Sequence, residues 1–192
     1  MESELSLALE ESIKAKEHLR EMIPSLAHAA GMMVEAFRRG NKILVCGNGG
    51  SAADAQHLAA ELVGRFEMER SPLPCLALTT NTSNLTAIAN DYQFSRIFEK
   101  QVEAFAAPGD IVIGISTSGT SENIVRALQA GKEKGALAIG FTGKSGRTIK
   151  KIAHLCLTAP SERTCRIQEC HVTMIHLLCE QVEKAMASSA AH

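Results

Sequence analysis

From Lys42 onward the chain repeats one pattern: a short, nearly continuous apolar run, a polar or glycine-containing turn, then a helical periodicity. The apolar runs are ILVC (43–46), LPCLALT (73–79), DIVIGIS (110–116), ALAIGFT (136–142) and HLCLTA (154–159). Helical spacing covers 51–64, segments of 83–105, 121–134, a short stretch near 147–152 and a long one over 164–187. Strands that are apolar at nearly every position are buried on both faces, and the intervening helices supply the crossovers. The pattern therefore predicts an α/β fold, a three-layer, doubly wound sheet of five parallel strands.

Two helices should precede that core. Residues 3–21 place Leu5, Leu9, Ile13 and Leu19 among glutamates and lysines, with Ala8 and Ala15 filling the same face, as in a surface amphipathic helix. Pro24 punctuates it, and a second helix over 25–37 carries a broad apolar face of Leu26, Ala29, Ala30, Met33, Val34 and Phe37, stopping near Gly40. Such a pair can cover a sheet edge or build a subunit interface. At 192 residues the chain suits one domain. The expected layout is N-terminal helices over 1–40, an α/β core with its C-terminal helix over 41–187, and a frayed tail over 188–192.

Hydrophobic residues make up 45% and charged residues 21%, with a formal net charge of -1, a balance that favours neither disorder nor a polyanion-binding surface. Nucleic acid is not an expected partner. The N-terminus mixes charge with leucine and has no signal-peptide core, and no window reaches the apolar length of a membrane span, so a cytoplasmic location with no membrane association is expected. Six cysteines occur without a CxxC pair, as reduced and buried thiols would.

The stretch CGNGGSAADAQHLAAEL (46–62) and the stretch GISTSGTSENIVRALQA (114–130) share an organisation: strand, polar loop, helix. In an open parallel sheet both loops lie at the carboxyl ends of strands, where a reversal of strand order opens a crevice for ligands. The loop from Ser116 to Ser121 gathers five hydroxyls around Gly119 ahead of a helix; backbone N–H groups and the helix dipole there suit a phosphate monoester. The same residues also suit an ordinary serine-rich turn with Ser121 as N-cap. No lysine follows in P-loop spacing, and CGNGGS lacks the dinucleotide fingerprint. In that first loop the glycines permit close backbone approach, while Asn48 and Ser51 offer polar contacts.

His57 and Glu61 stand four apart on one helix face, with Arg65 one turn further. A histidine and a carboxylate so placed can ligate a divalent metal, act as an acid/base couple, or form a plain surface contact. The last helix carries Gln168, Glu169, His171 and His176, the last of these among apolar neighbours, as a core histidine would be. Gln168 and His176 are roughly 12 Å apart along a helix axis, so to share one ion they would have to converge or draw on other segments or subunits. Asn90 and Asp91 read as a cap or turn, or as contacts to sugar hydroxyls if they reach a crevice.

Taken together, CGNGGS, the Gln56-His57…Glu61 helix, Ala89-Asn90-Asp91, GISTSGTS and Arg166-Ile167-Gln168-Glu169…His176 resemble the sugar-isomerase (SIS) domain family over essentially the whole chain. Within it the resemblance is closest to the phosphoheptose isomerases. It implies a flavodoxin-like SIS fold with two extra N-terminal helices. It further implies isomerisation of sedoheptulose 7-phosphate to D-glycero-D-manno-heptose 7-phosphate for lipopolysaccharide or related surface heptose, in a homotetramer with active sites at subunit interfaces and one zinc (Zn2+) per site. His57, Glu61, Gln168 and His176 match the metal positions, and Glu61 and His176 also the acid and base. Ser116, Thr117, Ser118 and Ser121 match the phosphate cradle; Asn48, Gly49, Gly50 and Ser51 the first loop; Asn90 and Asp91 the sugar contacts; Arg65 a further substrate contact. Cys165 departs from an aspartate expected in some members. The competing reading is a non-catalytic SIS tetramer that binds a replication initiator or senses sugar phosphate; such an initiator-binding relative is expected to lack the counterparts of Glu61 and His176.

Overall fold

A computed structural model describes residues 1–187, so the tail over 188–192 lies outside the described residues. The chain runs α1 (Glu2–His18), a 3-10 turn (Leu19–Met22), α2 (Ile23–Arg38), β1 (Ile43–Gly47), α3 (Gly50–Val63), β2 (Cys75–Ala77) and α4 (Thr82–Asp91). After a second 3-10 turn (Phe94–Arg96) come α5 (Glu99–Phe105), β3 (Ile111–Ser116), α6 (Glu122–Glu133), β4 (Leu137–Thr142), α7 (Arg147–Ile152), β5 (Leu155–Thr158) and α8 (Thr164–Ala187). The five strands are parallel in the order β2-β1-β3-β4-β5. The chain reverses direction across the sheet at β1 and β3, so the loops after these two strands flank the crevice.

Alternate side chains of each strand enter opposite layers. Ile43, Val45, Ile111, Ile113, Ile139 and Phe141 pack with α2, α3 and α8, whereas Leu44, Cys46, Val112 and Ala138 pack with α5, α6 and α7. Both central strands β1 and β3 are buried at every residue, which is why they read as unbroken apolar runs. The edge strand β2 is shorter than its apolar run, and Leu76 on it is 41% exposed. At the opposite end of the sheet Asp110 anchors β1 to β3, pairing with Lys42 Nζ at 2.6 Å and accepting from the Lys42 and Ala107 amides.

The N-terminal helices depart from the sequence reading in one respect. Pro24 lies in the first turn of α2, where its missing N–H costs nothing. Along α1, however, Leu5, Leu9 and Ile13 are 65%, 62% and 49% exposed, while Ser12, Ala15 and the following Leu19 are buried. The face that packs inward is the one with small side chains, which let α1 approach α8 closely; Arg166 of α8 donates to the Ala8 carbonyl there. The leucine stripe faces outward. Cys46, Cys170 and Cys179 are buried, Cys75 and Cys156 half-buried and Cys165 exposed, all as free thiols. Among the described residues no helix is long and apolar enough to cross a membrane.

Candidate active site

The β1 strand has to end in Gly47, because a Cβ there would sit 2.2 Å from the Ser51 carbonyl oxygen as the chain doubles back into α3. Gly49, at φ 57 and ψ -121, makes that reversal in a backbone region open only to glycine. The first loop is tied to α6 by a reciprocal amide pair: Asn48 donates to Asn123 at 2.9 Å and Asn123 donates back at 2.8 Å. After β3, Ser116 donates to Ser121 at 3.0 Å and lies 3.2 Å from Ser118. Ser121 stands at the N-cap of α6 but its hydroxyl makes no capping bond, so the loop's hydroxyls face each other instead of closing the helix. The loop also leans on the turn after β4, where Gly143 donates to the Thr117 carbonyl, and on α7, where Ile149 donates to the Gly119 carbonyl.

These two loops and the start of α8 enclose a cleft of about 310 Å³. One wall is Asn48, Gly49, Gly50 and Ser51; the other is Ser116, Thr117 and Ser121; Thr164 and Gln168 close the side. Gln168 comes so near that a Cβ on Gly50 would lie 2.3 Å from its Nε2. Hydroxyls, a side-chain amide and a helix N-terminus, with no apolar floor beyond Ile115, make this a place for a small anion such as a phosphate group.

Along α3 and α8 from the cleft lies a second cluster. His57 Nε2 is 3.0 Å from Glu61 Oε1 and 3.1 Å from His176 Nε2, and the three ligand atoms all lie within 4.8 Å of one another. The i,i+4 spacing brings His57 and Glu61 together; the packing of α3 against α8 brings His176 to them across 119 positions of sequence. Phe66 backs the cluster, its ring centroid 5.5 Å from that of His176. Two imidazoles and a carboxylate form a nitrogen/oxygen donor set of the kind that holds a catalytic zinc with a position left for substrate.

Gln168, matched by resemblance to the same metal site, is placed in the cleft against Gly50. Asn90 and Asp91 end α4, exposed and bonded to each other at 2.9 Å, and do not line this cleft. Arg65 lies just beyond the end of α3, exposed, and its nearest carboxylate is Glu69 at 4.0 Å. Cys165 follows Thr164 at the cleft's edge; hydrogen bonding to Arg166 draws its thiol below the ordinary value.

Of two buried titratable groups on α3 and α8, the sequence reading misses Asp54 and names His171 without a role. Asp54, one turn before His57 on α3, is 8% exposed with one carboxylate oxygen unpartnered; burial pushes its pKa up to about 6, against the pull of His57. Its signal was its spacing, since positions 54, 57 and 61 fall on one face. His171 is the core histidine of α8: fully buried, its Nε2 3.1 Å from the Thr142 carbonyl oxygen, its pKa lowered to about 4 by desolvation. His176, the one set among apolar neighbours in sequence, faces the cluster instead.

Comparison with known proteins places these features in a family. The SIS domain family model matches residues 10–143. A phosphoheptose isomerase of Aquifex aeolicus is 57% identical over 159 residues, 83% of each chain, and one of Rhodospirillum rubrum is 48% identical over 98% of this chain and 100% of its own. The solved structure of phosphoheptose isomerase GmhA from Neisseria gonorrhoeae superposes with a TM-score of 0.91 at 41% identity, covering 95% of this chain and 98% of that one.

Proposed function

Since the chain belongs to the phosphoheptose isomerases of the SIS domain family, we propose that it is a ketose-aldose isomerase converting sedoheptulose 7-phosphate to D-glycero-D-manno-heptose 7-phosphate. The observation that carries this reading is the meeting of Glu61 with His57 and His176 alongside a polar, phosphate-sized cleft. The substrate needs both features, because its phosphate and its reacting carbons are at opposite ends of the molecule. From Ser51 to His57 the rise along α3 is on the order of 9 Å, so one helix spans from anchor to chemistry.

In the proposed mechanism the hydroxyl loop and the first loop hold the phosphate, giving binding energy remote from the reaction. Glu61 and His176 divide the roles of base and acid: one removes the proton from the carbon bearing the hydroxyl, and the other protonates the carbonyl oxygen to give the enediol. The first group then returns its proton to the adjacent carbon, the former carbonyl carbon, while the second takes the proton from the hydroxyl oxygen of the carbon first deprotonated, and the aldose results. His57 orients Glu61 through their 3.0 Å contact. His57, Glu61 and His176 would hold a zinc ion, which when bound supplies Lewis-acid polarisation of the sugar oxygens.

The outward stripe of Leu5, Leu9 and Ile13 supports a homotetramer in which other copies cover it. A site shared between subunits also gives Asn90 and Asp91, exposed within one subunit, a route to sugar hydroxyls. A cytoplasmic enzyme supplying heptose for lipopolysaccharide or related surface sugars fits this reading. A binding or sensing module would require the phosphate cleft but not the carboxylate and imidazoles beyond it.

The test is product formation: purified protein given sedoheptulose 7-phosphate should yield an aldoheptose 7-phosphate, and Glu61→Gln should lower turnover by about a hundredfold or more with the fold intact. Chelation should reduce the rate and zinc restore it. A zinc-supplied parent protein without turnover would refute the enzyme reading.

A further inference from the structure

The segment joining α3 to β2, residues 64–74, has no helix or strand of its own, yet it is held by two side chains only 2% exposed, Glu183 of α8 and the segment's own Arg70. Glu183, near the end of α8, accepts hydrogen bonds from the Phe66 amide at 2.9 Å and from the Glu67 and Met68 amides at 2.7 Å each. Arg70 pairs with it, Nε to Oε1 at 3.4 Å. The Arg70 guanidinium donates in turn to the carbonyl oxygens of Glu61 (2.8 Å), Leu62 (2.9 Å), Gly64 (3.2 Å) and Ser71 (3.0 Å).

The carbonyls of Glu61, Leu62 and Gly64 form the C-terminal end of α3, where a helix has acceptors without intrahelical donors and favours a cation. The pair therefore fastens the turn of α3 that carries Glu61 to the face of α8 that carries His176, seven residues or about two turns before Glu183. The same grip seats Phe66, whose amide Glu183 holds, against the His176 ring. A buried ion pair is a poor device for stability alone, since desolvation offsets its attraction and an apolar pair of similar volume serves as well. What it does supply is direction. Seven hydrogen bonds from two side chains define where one loop and one helix end must be.

We propose that Arg70 and Glu183 are positioning residues, setting the separation of Glu61 and His176 and the orientation of the His176 ring. The role rests on the acid/base assignment above. It predicts that losing the pair damages the reacting end of the site and leaves the phosphate cleft untouched.

Glu183→Gln leaves Arg70 buried without its counter-charge, so a second variant, Arg70→Met with Glu183→Leu, removes both charges and keeps the volume. Asp110→Asn serves as a control, because it breaks a different, partly buried pair at the opposite end of β1 and β3. For the double variant the expected result is KM for sedoheptulose 7-phosphate within about twofold of the parent, and kcat lowered about ten- to a hundredfold. Zinc affinity, read by competition with a chelator, should fall by a similar factor, and the Phe66, Glu67 and Met68 amides should lose protection from hydrogen exchange. Asp110→Asn should lower the melting temperature while keeping kcat. Unchanged kcat and zinc affinity in the double variant would overturn the proposal, as would an equal loss of kcat in the control. If the parent protein itself fails to turn over the sugar, it is the enzyme reading that falls; zinc affinity and amide protection then decide the positioning claim, their loss in the double variant supporting it and their retention refuting it.

Discussion

Gly50→Ala separates the stability of this protein from its activity. Gly50 is the first residue of α3, and its φ lies outside the left-handed region, so alanine fits the backbone there and improves helix propensity by up to about 1 kcal/mol. Its Cβ, however, would fall 2.3 Å from Gln168 Nε2 and 2.9 Å from Gln168 Cδ. To restore ordinary van der Waals separation the amide must retreat by roughly 1 Å or more. The obstacle is the end of a flexible side chain, so the amide swings aside and the helix does not move. A displacement of that size at a group lining the substrate cleft costs about ten- to a hundredfold in kcat/KM, or roughly 1.4 to 2.7 kcal/mol of transition-state stabilisation. Thermal melting beside steady-state isomerisation is the assay: the melting temperature should hold or rise while kcat/KM falls. Unaltered kcat/KM would show that Gln168 takes no part in the site, and a melting temperature lowered by several degrees would show that α3, not the side chain, gives way.

Gly49→Ala should do the reverse one residue earlier: no atom lies within 4 Å of a Cβ there, so its cost is the φ of 57 itself, about 1–3 kcal/mol, visible as a melting temperature several degrees lower. A melting temperature equal to the parent's would contradict that strain. His171 should give the fold an acid-labile component. Because its pKa is lowered to about 4 from an ordinary 6.5, the unfolded chain takes up a proton below pH 6.5 that the folded chain refuses, and stability falls as pH drops from 6.5 toward 4 by up to about 3 kcal/mol. Asp54 works in the opposite sense over part of that window, its raised pKa favouring the fold as pH falls through about 6. The measurement is therefore a difference: denaturant unfolding of parent and His171→Gln across pH 4 to 7 should converge at the acid end, and a pH-independent gap would refute the assignment.

What the sequence made legible follows from which constraints are local. Strands buried on both faces have to be apolar throughout, so β1, β3 and β4 stood out with nearly their final limits, and α8 could be read as 164–187 because its periodicity runs unbroken. The edge of the sheet is less legible: β2 shrinks to Cys75–Ala77 because an edge strand has a neighbour on one side only. On α1 the periodicity was real but its direction was not local information. A stripe of Leu5, Leu9 and Ile13 says that something apolar covers it, and the chain's own core took the neighbouring face of Ala8, Ser12 and Ala15.

The candidate site divides along the same line. His57 and Glu61 share a helix, so their meeting was fixed by spacing alone, and the hydroxyl loop was fixed by its place after a strand. The two histidines of α8 differ by five positions, which on a helix turns them about 140° apart. One must face the sheet if the other faces α3, and hydropathy of the neighbours does not say which. Packing decides it: the Thr142 carbonyl at the end of β4 takes His171, which turns His176 toward His57. The buried Arg70–Glu183 pair was illegible for the corresponding reason, since a lone arginine in a loop and a lone glutamate near a helix end read as solvated charges until the fold encloses both. In this chain the His57–Glu61 pair can be named from helical spacing, whereas the turn of His176 toward it and the parts that aim all three come from contacts more than a hundred residues apart in sequence, which the packed structure specifies.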